Sequence, residues 1–434
     1  MEWQIILLIS LSSLFLLLVL GQWIAFALGV AGLLALFLQG GLLFFRPLGV
    51  VIWNSVNNFT LIPIPLFIFM GEMILLGGAS KRFYKAMRLP FSRLPGGLLQ
   101  VNIITSGVFA ALTGVSVAAA AAVGTVAIPE LTKQNYDRRM VLGSIAGGGT
   151  LGILIPPSVP LIVYGALVQE SIADLFAAAI IPGTLLMALF MLYVGIRARL
   201  NAKLAPKARE DSYTGKEKII ILLQGLPVLF LIGMVLGCIY LGLMTPTEAA
   251  AIGAFLAIFL SRIYGGLTLS NFKLAISRTV QTTSMILFIM VGASVFSFAL
   301  VNGGINRELT EWIISYYGEI PWIFVMVISF IYVVLGFFFD PISIMLLTIP
   351  IFYPITQELG LDPIWFGVML AVLIEMGLIT PPVGFNLFVV AAVGKQRIEE
   401  VIQGSYPYVI LMSILLVILY LFPSIALWLP HALK

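Results

Sequence analysis

Ten apolar runs, each long enough to cross a lipid bilayer, follow one another along this chain, at residues 5–20, 23–38, 61–76, 141–168, 175–196, 219–241, 249–264, 279–300, 364–393 and 406–429. Lipid offers no partner to a bare N–H or C=O, so each run is expected to close its backbone bonds within itself as a helix. Hydrophobic residues make up 61% of the 434 and charged ones 10%, too little polar surface to enclose a soluble globule of this length. The expected fold class is therefore an all-α polytopic membrane protein. The first two runs follow Met-Glu-Trp-Gln instead of a basic segment, and read as a retained pair of crossings, not a cleaved signal peptide.

Two further apolar stretches, 94–131 and 322–354, are too long for one crossing and carry small or polar residues at their middles. At ~1.5 Å per residue, each arm of such a stretch reaches roughly 22–28 Å, short of a bilayer once a turn is included. Both are expected to be re-entrant hairpins. That layout puts 20 of the 23 lysines and arginines on one side and leaves Arg46, Arg307 and Lys434 on the other. Cytoplasmic loops carry the excess of basic residues, so both termini are expected outside the cytoplasm. The net charge of +4 thus reports topology and gives no reason to expect a nucleic-acid partner. A single cysteine, Cys238, in an apolar run, and a single histidine, His431, in the tail, exclude an internal disulfide and histidine-based metal or catalytic clusters.

Two of the runs are broken by adjacent prolines, Pro156-Pro157 and Pro381-Pro382, after glycine-rich approaches. Proline removes a backbone donor and clashes with the preceding turn, so each run is expected to be a helix interrupted partway through the membrane, beside a cavity or ligand. A shift of 225 positions superimposes Pro129 on Pro354, Asp137 on Asp362, Gly152 on Gly377, both proline pairs, and Ala166 on Ala391. The first hairpin would enter from the cytoplasm and the second from outside, an inverted repeat of the kind found in secondary transporters, whose sites lie near the midplane between the halves. Ahead of each hairpin lies an amphipathic stretch, 80–93 and 305–317, expected to form an interfacial arm.

Chemistry is expected at the hairpin tips and the breaks. Thr113, Gly114 and Ser116 at the first tip, with Gly148, Gly149 and Thr150 at the first break, offer hard oxygen ligands for one Na⁺. Phe339, Asp340 and Ser343 at the second tip, with Gly377 and Thr380, offer them for another. A carboxylate at membrane depth is costly without a partner, which makes Asp340 a candidate by default. Glu72 and Glu375 also lie in apolar spans, as cation or proton sites or as interhelical partners. No lysine or arginine lies at the centre of a crossing, so an anionic substrate would rest on half-helix N-termini, hydroxyls and co-bound cations around Pro156, Pro157, Ser158, Pro381, Pro382, Gly384 and Asn386. No organic cofactor is called for. Nothing resembles a channel's ring of charge, and the three carboxylates lack an acid–base spacing, so neither a channel nor an enzyme is expected.

Over nearly its whole length the chain resembles the large membrane subunit of tripartite ATP-independent periplasmic (TRAP) transporters, the DctM family of the ion transporter superfamily. The most specific likeness lies in Gly152-Ile-Leu-Ile-Pro-Pro-Ser158 with Tyr164 and Gly165, Phe339-Asp-Pro341 with Ser343, and Gly377-Leu-Ile-Thr-Pro-Pro-Val-Gly384 with Asn386. The family carries Ser-Gly-Ser-Ser at the first tip, where this chain has Thr113-Gly-Val-Ser116, which removes a side-chain ligand at Val115. The resemblance implies residence in a bacterial inner membrane and an elevator mechanism. Residues 1–93 and 219–317 would supply scaffold helices and arms, 94–196 and 318–434 the two halves of a moving transport unit, and 197–218 a basic cytoplasmic loop. It also implies Na⁺-coupled uptake of an organic acid, a C4-dicarboxylate or a sialic acid for example, with a four-helix small membrane subunit (DctQ/SiaQ-like) and a periplasmic binding protein (DctP/SiaP-like) as partners. A self-sufficient Na⁺/carboxylate symporter of the same superfamily would share these features.

Overall fold

A computed structural model of the chain describes residues 2–206, 213–317 and 321–433. All regular structure among them is helical. Eight segments are long and apolar enough to cross a membrane: Ile24–Phe45, Phe59–Leu76, Arg138–Val168, Ile172–Leu200, Gly215–Tyr240, Pro246–Ile263, Leu269–Asn302 and Ile398–Leu421. The other two expected runs are a helix of 17 residues, Trp3–Val19, and the pair Pro363–Leu378 and Phe385–Gly394, divided at the second proline pair. Large apolar side chains such as Phe230, Phe255 and Phe330 are exposed on the outside, as lipid-facing residues should be, while Tyr164, Tyr332 and Tyr408 are fully buried.

Each of the two stretches expected to be a hairpin is a pair of helices joined by a short turn. Leu98–Thr113 and Ser116–Lys133 meet at Gly114, whose φ of 61° suits glycine; Pro321–Gly336 and Pro341–Glu358 meet at residues 337–340. Each hairpin leads into its broken helix through a left-handed residue, Asn135 or Gly360, and an aspartate cap. Asp137 accepts from the Met140 amide at 3.0 Å, and Asp362 from Ile364 and Trp365 at 2.8 and 2.9 Å. These pairs are spaced by the same 225 positions as the prolines, so local backbone geometry repeats along with sequence. The arms are helices of 13 residues each, Ala79–Phe91 and Ile305–Tyr317.

The halves are interlaced. The first segment of each broken helix packs on the first arm of its own hairpin, Arg138–Gly149 on Leu98–Thr113 and Pro363–Leu378 on Pro321–Gly336. The last segment crosses over: Phe385–Gly394 packs on Ser116–Lys133 of the first hairpin, and Val159–Val168 on Pro341–Glu358 of the second. The outer helices exchange in the same way, Pro246–Ile263 against Pro63–Leu76 and Ile24–Gly40 against Leu269–Asn302. Reciprocal exchange of this kind is what a two-fold relation between the halves requires. Small residues permit the closest approaches: a Cβ on Gly143 would stand 2.1 Å from the Gly404 carbonyl oxygen, so two helices meet there backbone to backbone.

Three features depart from expectation. The run at 406–429 ends as a helix at Leu421, because Phe422 precedes Pro423 and is driven out of helical geometry (φ −131°, ψ 71°); a separate helix, Ser424–Leu433, follows and packs on Ile172–Leu200. Leu269–Asn302 runs for 34 residues, its first turns carrying Lys273 and Arg278 beyond the apolar window. Leu48–Val56, for which no element was expected, is a helix with none of its residues buried. Cys238 is a half-buried free thiol and His431 is exposed. Residues 207–212 of the expected basic loop, the junction at 318–320 and Lys434 lie outside the described residues.

Candidate functional site

At the first break the helix Arg138–Gly149 gives way to one short turn, Leu151–Leu154, and then to extended backbone at Ile155 before the buried cis Pro156–Pro157 bond. Ser158 starts the next helix, its Oγ accepting from the Leu161 amide at 3.5 Å. The first hairpin tip seats in this gap. The Val159 amide donates to the Gly114 carbonyl at 3.4 Å, and a Cβ on Gly114 would lie 3.1 Å from the Pro157 oxygen. A Cβ on Gly152 would meet Ser116 Cα and N at 2.7 Å, and one on Gly149 would meet the Ser116 oxygen at 3.2 Å. The glycines of the break are thus what lets the tip approach main chain to main chain.

The second break repeats the arrangement with a different balance. Pro381–Pro382 is cis, and the Gly384 amide donates to the Phe337 carbonyl at 3.3 Å. Gly336 and Gly377 meet at a distance that no side chain would fit. Asp340 caps the second arm of its hairpin: Oδ1 accepts from Ile342 and Ser343 amides at 3.1 and 3.2 Å, and Ser343 Oγ donates to Oδ2. The residue 225 positions earlier, Val115, is the N-cap of Ser116–Lys133 and makes no side-chain cap. Pro382 is exposed where Pro156 and Pro157 are buried, so the second break is the more open of the two.

Beside the breaks, the two halves also meet through polar side chains. Ser116 Oγ donates to Glu375 Oε1, which brings the tip of the first hairpin to the helix leading into the second break. Glu375 is fully buried, and its Oε2 has no hydrogen-bond partner. Also buried without a partner are both side-chain atoms of Asn386, Thr105 Oγ1 and Ser106 Oγ, the last beside the position a Cβ on Gly148 would take, at 2.8 Å. Polar atoms left open in a buried place mark sites for ligands or water.

The expected site residues do not all behave alike. Thr113, Ser116, Gly114 and Gly149 gather at the first tip and break. Thr150 turns away: its Oγ1 donates to the Gly147 carbonyl at 2.6 Å and lies 3.8 Å from Met412 Sδ. Thr113 and Thr380 likewise donate to carbonyls one turn back, Phe109 at 2.9 Å and Met376 at 2.6 Å. Such a bond uses the hydroxyl proton and leaves oxygen lone pairs free for a cation. At the second tip Asp340 and Ser343 engage each other, while Phe339, Gly377 and Gly384 contribute backbone around the break. Glu72 pairs across helices with Arg278 at 3.2 Å. Sequence reasoning had weighed Glu375 without finding its partner, since Ser116 lies 259 positions away.

The first arm is tied on both sides. Arg82 donates to the Tyr264 carbonyl at 2.8 Å, Tyr84 donates to Asn102 Oδ1 at 2.7 Å, and Arg88 pairs with Glu130 at 3.1 Å. Asn102 in turn donates to Ser144 Oγ at 2.9 Å, linking arm, hairpin and broken helix. Burial, with Glu130 nearby, lifts the Tyr84 phenol well above the ordinary phenol range and keeps it a donor.

Residues 11–425 match the family described as Tripartite ATP-independent periplasmic transporter, DctM component. The chain is 35% identical over 387 residues to the C4-dicarboxylate TRAP transporter large permease protein DctM of Pseudomonas aeruginosa, covering 89% of this chain and 90% of that one. It is 31% identical over 382 residues to the sialic acid TRAP transporter large permease protein SiaM of Vibrio cholerae, covering 87% and 88%. It is 30% identical over 416 residues to the isethionate TRAP transporter permease protein DctMQ of Oleidesulfovibrio alaskensis, spanning 94% of this chain and 64% of that one. In fold it is similar to the crystal structure of the Alcanivorax borkumensis YdaH transporter, with a TM-score of 0.61 at 14% identity and 91% of each chain covered. With clasped tips and breaks in both halves and the family match over nearly its full length, this chain belongs to the DctM family of TRAP transporter large permeases.

Proposed function

We propose that this permease takes up an organic acid across a bacterial inner membrane, driven by Na⁺, by an elevator movement of the hairpins and broken helices against the remaining helices. The observation that carries the reading is the pair of tip-to-break clasps, Gly114 with Val159 and Phe337 with Gly384, bordered by buried oxygens with open valences. Thr113, Gly114, Ser116, Gly148 and Gly149, with the carbonyl of Thr150, would hold one transported Na⁺. Phe339, Asp340, Ser343, Gly377 and Thr380 would hold another. The substrate anion would lie between the breaks, against Pro156, Pro157, Ser158, Pro381, Pro382, Gly384 and Asn386, where helices begin at Val159 and Phe385 and their N-terminal amides favour negative charge.

Relatives named for C4-dicarboxylates, sialic acid and isethionate all handle acids, which supports the substrate class. The longer DctMQ relative, of which this chain spans 64%, supports a second membrane component beside this one, and a periplasmic binding protein would deliver the substrate. The hairpins would be re-entrant and the termini periplasmic, with the arms joining scaffold to moving unit.

Uptake into proteoliposomes holding this chain and its small subunit tests the reading, with candidate binding proteins added one at a time and Na⁺ present or replaced by choline. Uptake that needs both Na⁺ and one binding protein is expected. Asp340→Asn should retain the cap, since asparagine caps as well as aspartate, yet lose most Na⁺-driven uptake. Uptake indifferent to Na⁺, or full uptake by Asp340→Asn, would refute the coupling or the residue respectively.

A further inference from the structure

We propose that Glu375 is the anionic ligand of the cation site at the first hairpin, so that this site is assembled from both halves of the chain. The inference rests on the Na⁺-coupled reading above and adds a charged residue to it. Under the 225-position shift Val115 corresponds to Asp340, and Thr150 to Glu375. The second half therefore holds both carboxylates and the first half holds neither. Asp340 stays with its own tip, held by Ser343 and two amides, but Glu375 reaches across to Ser116 of the opposite hairpin. Each tip thus has one carboxylate although only one hairpin carries its own.

The surroundings of Glu375 call for a small hard cation. It is fully buried, and its hydrogen-bond partner is a neutral hydroxyl. No lysine or arginine occurs at 113–116 or 147–159, or elsewhere in its own helix, Pro363–Leu378. In its ionised form a carboxylate so placed needs a positive partner. Its Oε2 lacks a hydrogen-bond partner, so a carboxylate oxygen with an open valence stands beside the Ser116 hydroxyl, on the residue whose carbonyl faces Gly149 at the break. Oxygen-only ligands of this kind suit Na⁺. The neutral ligands expected from the first half would then be completed by charge from the second, and closing the first hairpin would depend on the second half being in position.

Thermal unfolding of the full chain in detergent tests this, with NaCl replacing choline chloride stepwise at constant ionic strength. Wild type should be stabilised saturably by Na⁺. Glu375→Gln, which can still accept from Ser116, should melt in choline at or above the wild-type temperature, with its half-saturating Na⁺ raised at least tenfold. Ser116→Ala should raise it several-fold, and decides the matter if the glutamine variant does not fold. An unchanged Na⁺ titration in the deciding variant, or a loss of melting temperature that is equal with and without Na⁺, overturns the assignment and leaves a structural hydrogen bond. A wild-type chain that does not respond to Na⁺ sinks the coupling reading itself, whereas a normal wild-type response that persists in the variants sinks only the role of Glu375.

Discussion

Gly152→Ala probes the seat of the first hairpin most directly. The added methyl would stand 2.7 Å from Ser116 Cα and N and 2.8 Å from Oγ, against a comfortable carbon contact of about 3.5 Å, so the tip must withdraw by about 0.7 Å or more. Two of the three atoms are main chain and cannot swing aside. Overpacking of this sort costs about 1–3 kcal/mol, equivalent to about a 5- to 150-fold shift between seated and unseated tip. Alanine gains up to about 1 kcal/mol over glycine in a helix, so the fair control is another helical glycine. Gly107 serves: its Cβ would meet the ends of Ile155, Met187 and Leu151 side chains at 3.1–3.4 Å, which can move. The two alanine variants should therefore differ by about 1–3 kcal/mol in stability, read by thermal unfolding of the purified chain. Cys238 is the sole cysteine, so with it replaced by serine, a cysteine at Val115 reports tip exposure, and its labelling should quicken in Gly152→Ala but not in Gly107→Ala. Equal melting and equal labelling in the two would refute the argument that these glycines exist to let the tip approach.

Asp137→Ala should destabilise the first broken helix by about 1 kcal/mol and Asp137→Asn by far less, because only the former removes the oxygen that accepts from Met140; unfolding midpoints check this. A double-mutant cycle on Arg88 and Glu130, whose side chains are 16% and 34% exposed, should give a coupling near the top of the roughly 0.2–1 kcal/mol range for ion pairs. The same cycle on Arg307 and Glu311, at 82% and 60% exposed, should give a smaller coupling that vanishes in high salt. Tyr84→Phe strips Asn102 Oδ1 of its buried donor and should cost about 1–3 kcal/mol, with hydrogen exchange quickening in both the arm and the first hairpin.

Periodicity and composition carry far along this chain. The spans, the helix pairs on either side of Gly114 and of residues 337–340, both breaks and the helix at 305–317 were legible because each depends on local properties: apolar length, a proline pair, a glycine at a turn, an amphipathic face. The 225-position shift was legible too, and it extends to the caps at Asp137 and Asp362 and the turns at Asn135 and Gly360. What could not be read is set by partners distant in the chain. Nothing local to Glu375 announces Ser116, and nothing local to Glu72 announces Arg278. Thr150 looked like its neighbours at the break, yet it bonds within its own turn and faces Met412. The helix at Leu48–Val56 escaped notice because it is too short for a crossing and buries none of its residues, and the break at Phe422 was masked by apolar residues on both sides of Pro423.

The crossing of the last broken segments has a consequence for how the chain is made. Ser116–Lys133 leaves the ribosome long before Phe385–Gly394, the helix that will cover it, has been translated. Its face around Gly124, which lies against Val393 in the finished fold, must wait through the synthesis of some 250 further residues. A nascent first half is consequently an unfinished object with one face open, and the polypeptide becomes a transporter only when its closing residues thread back to the oldest ones.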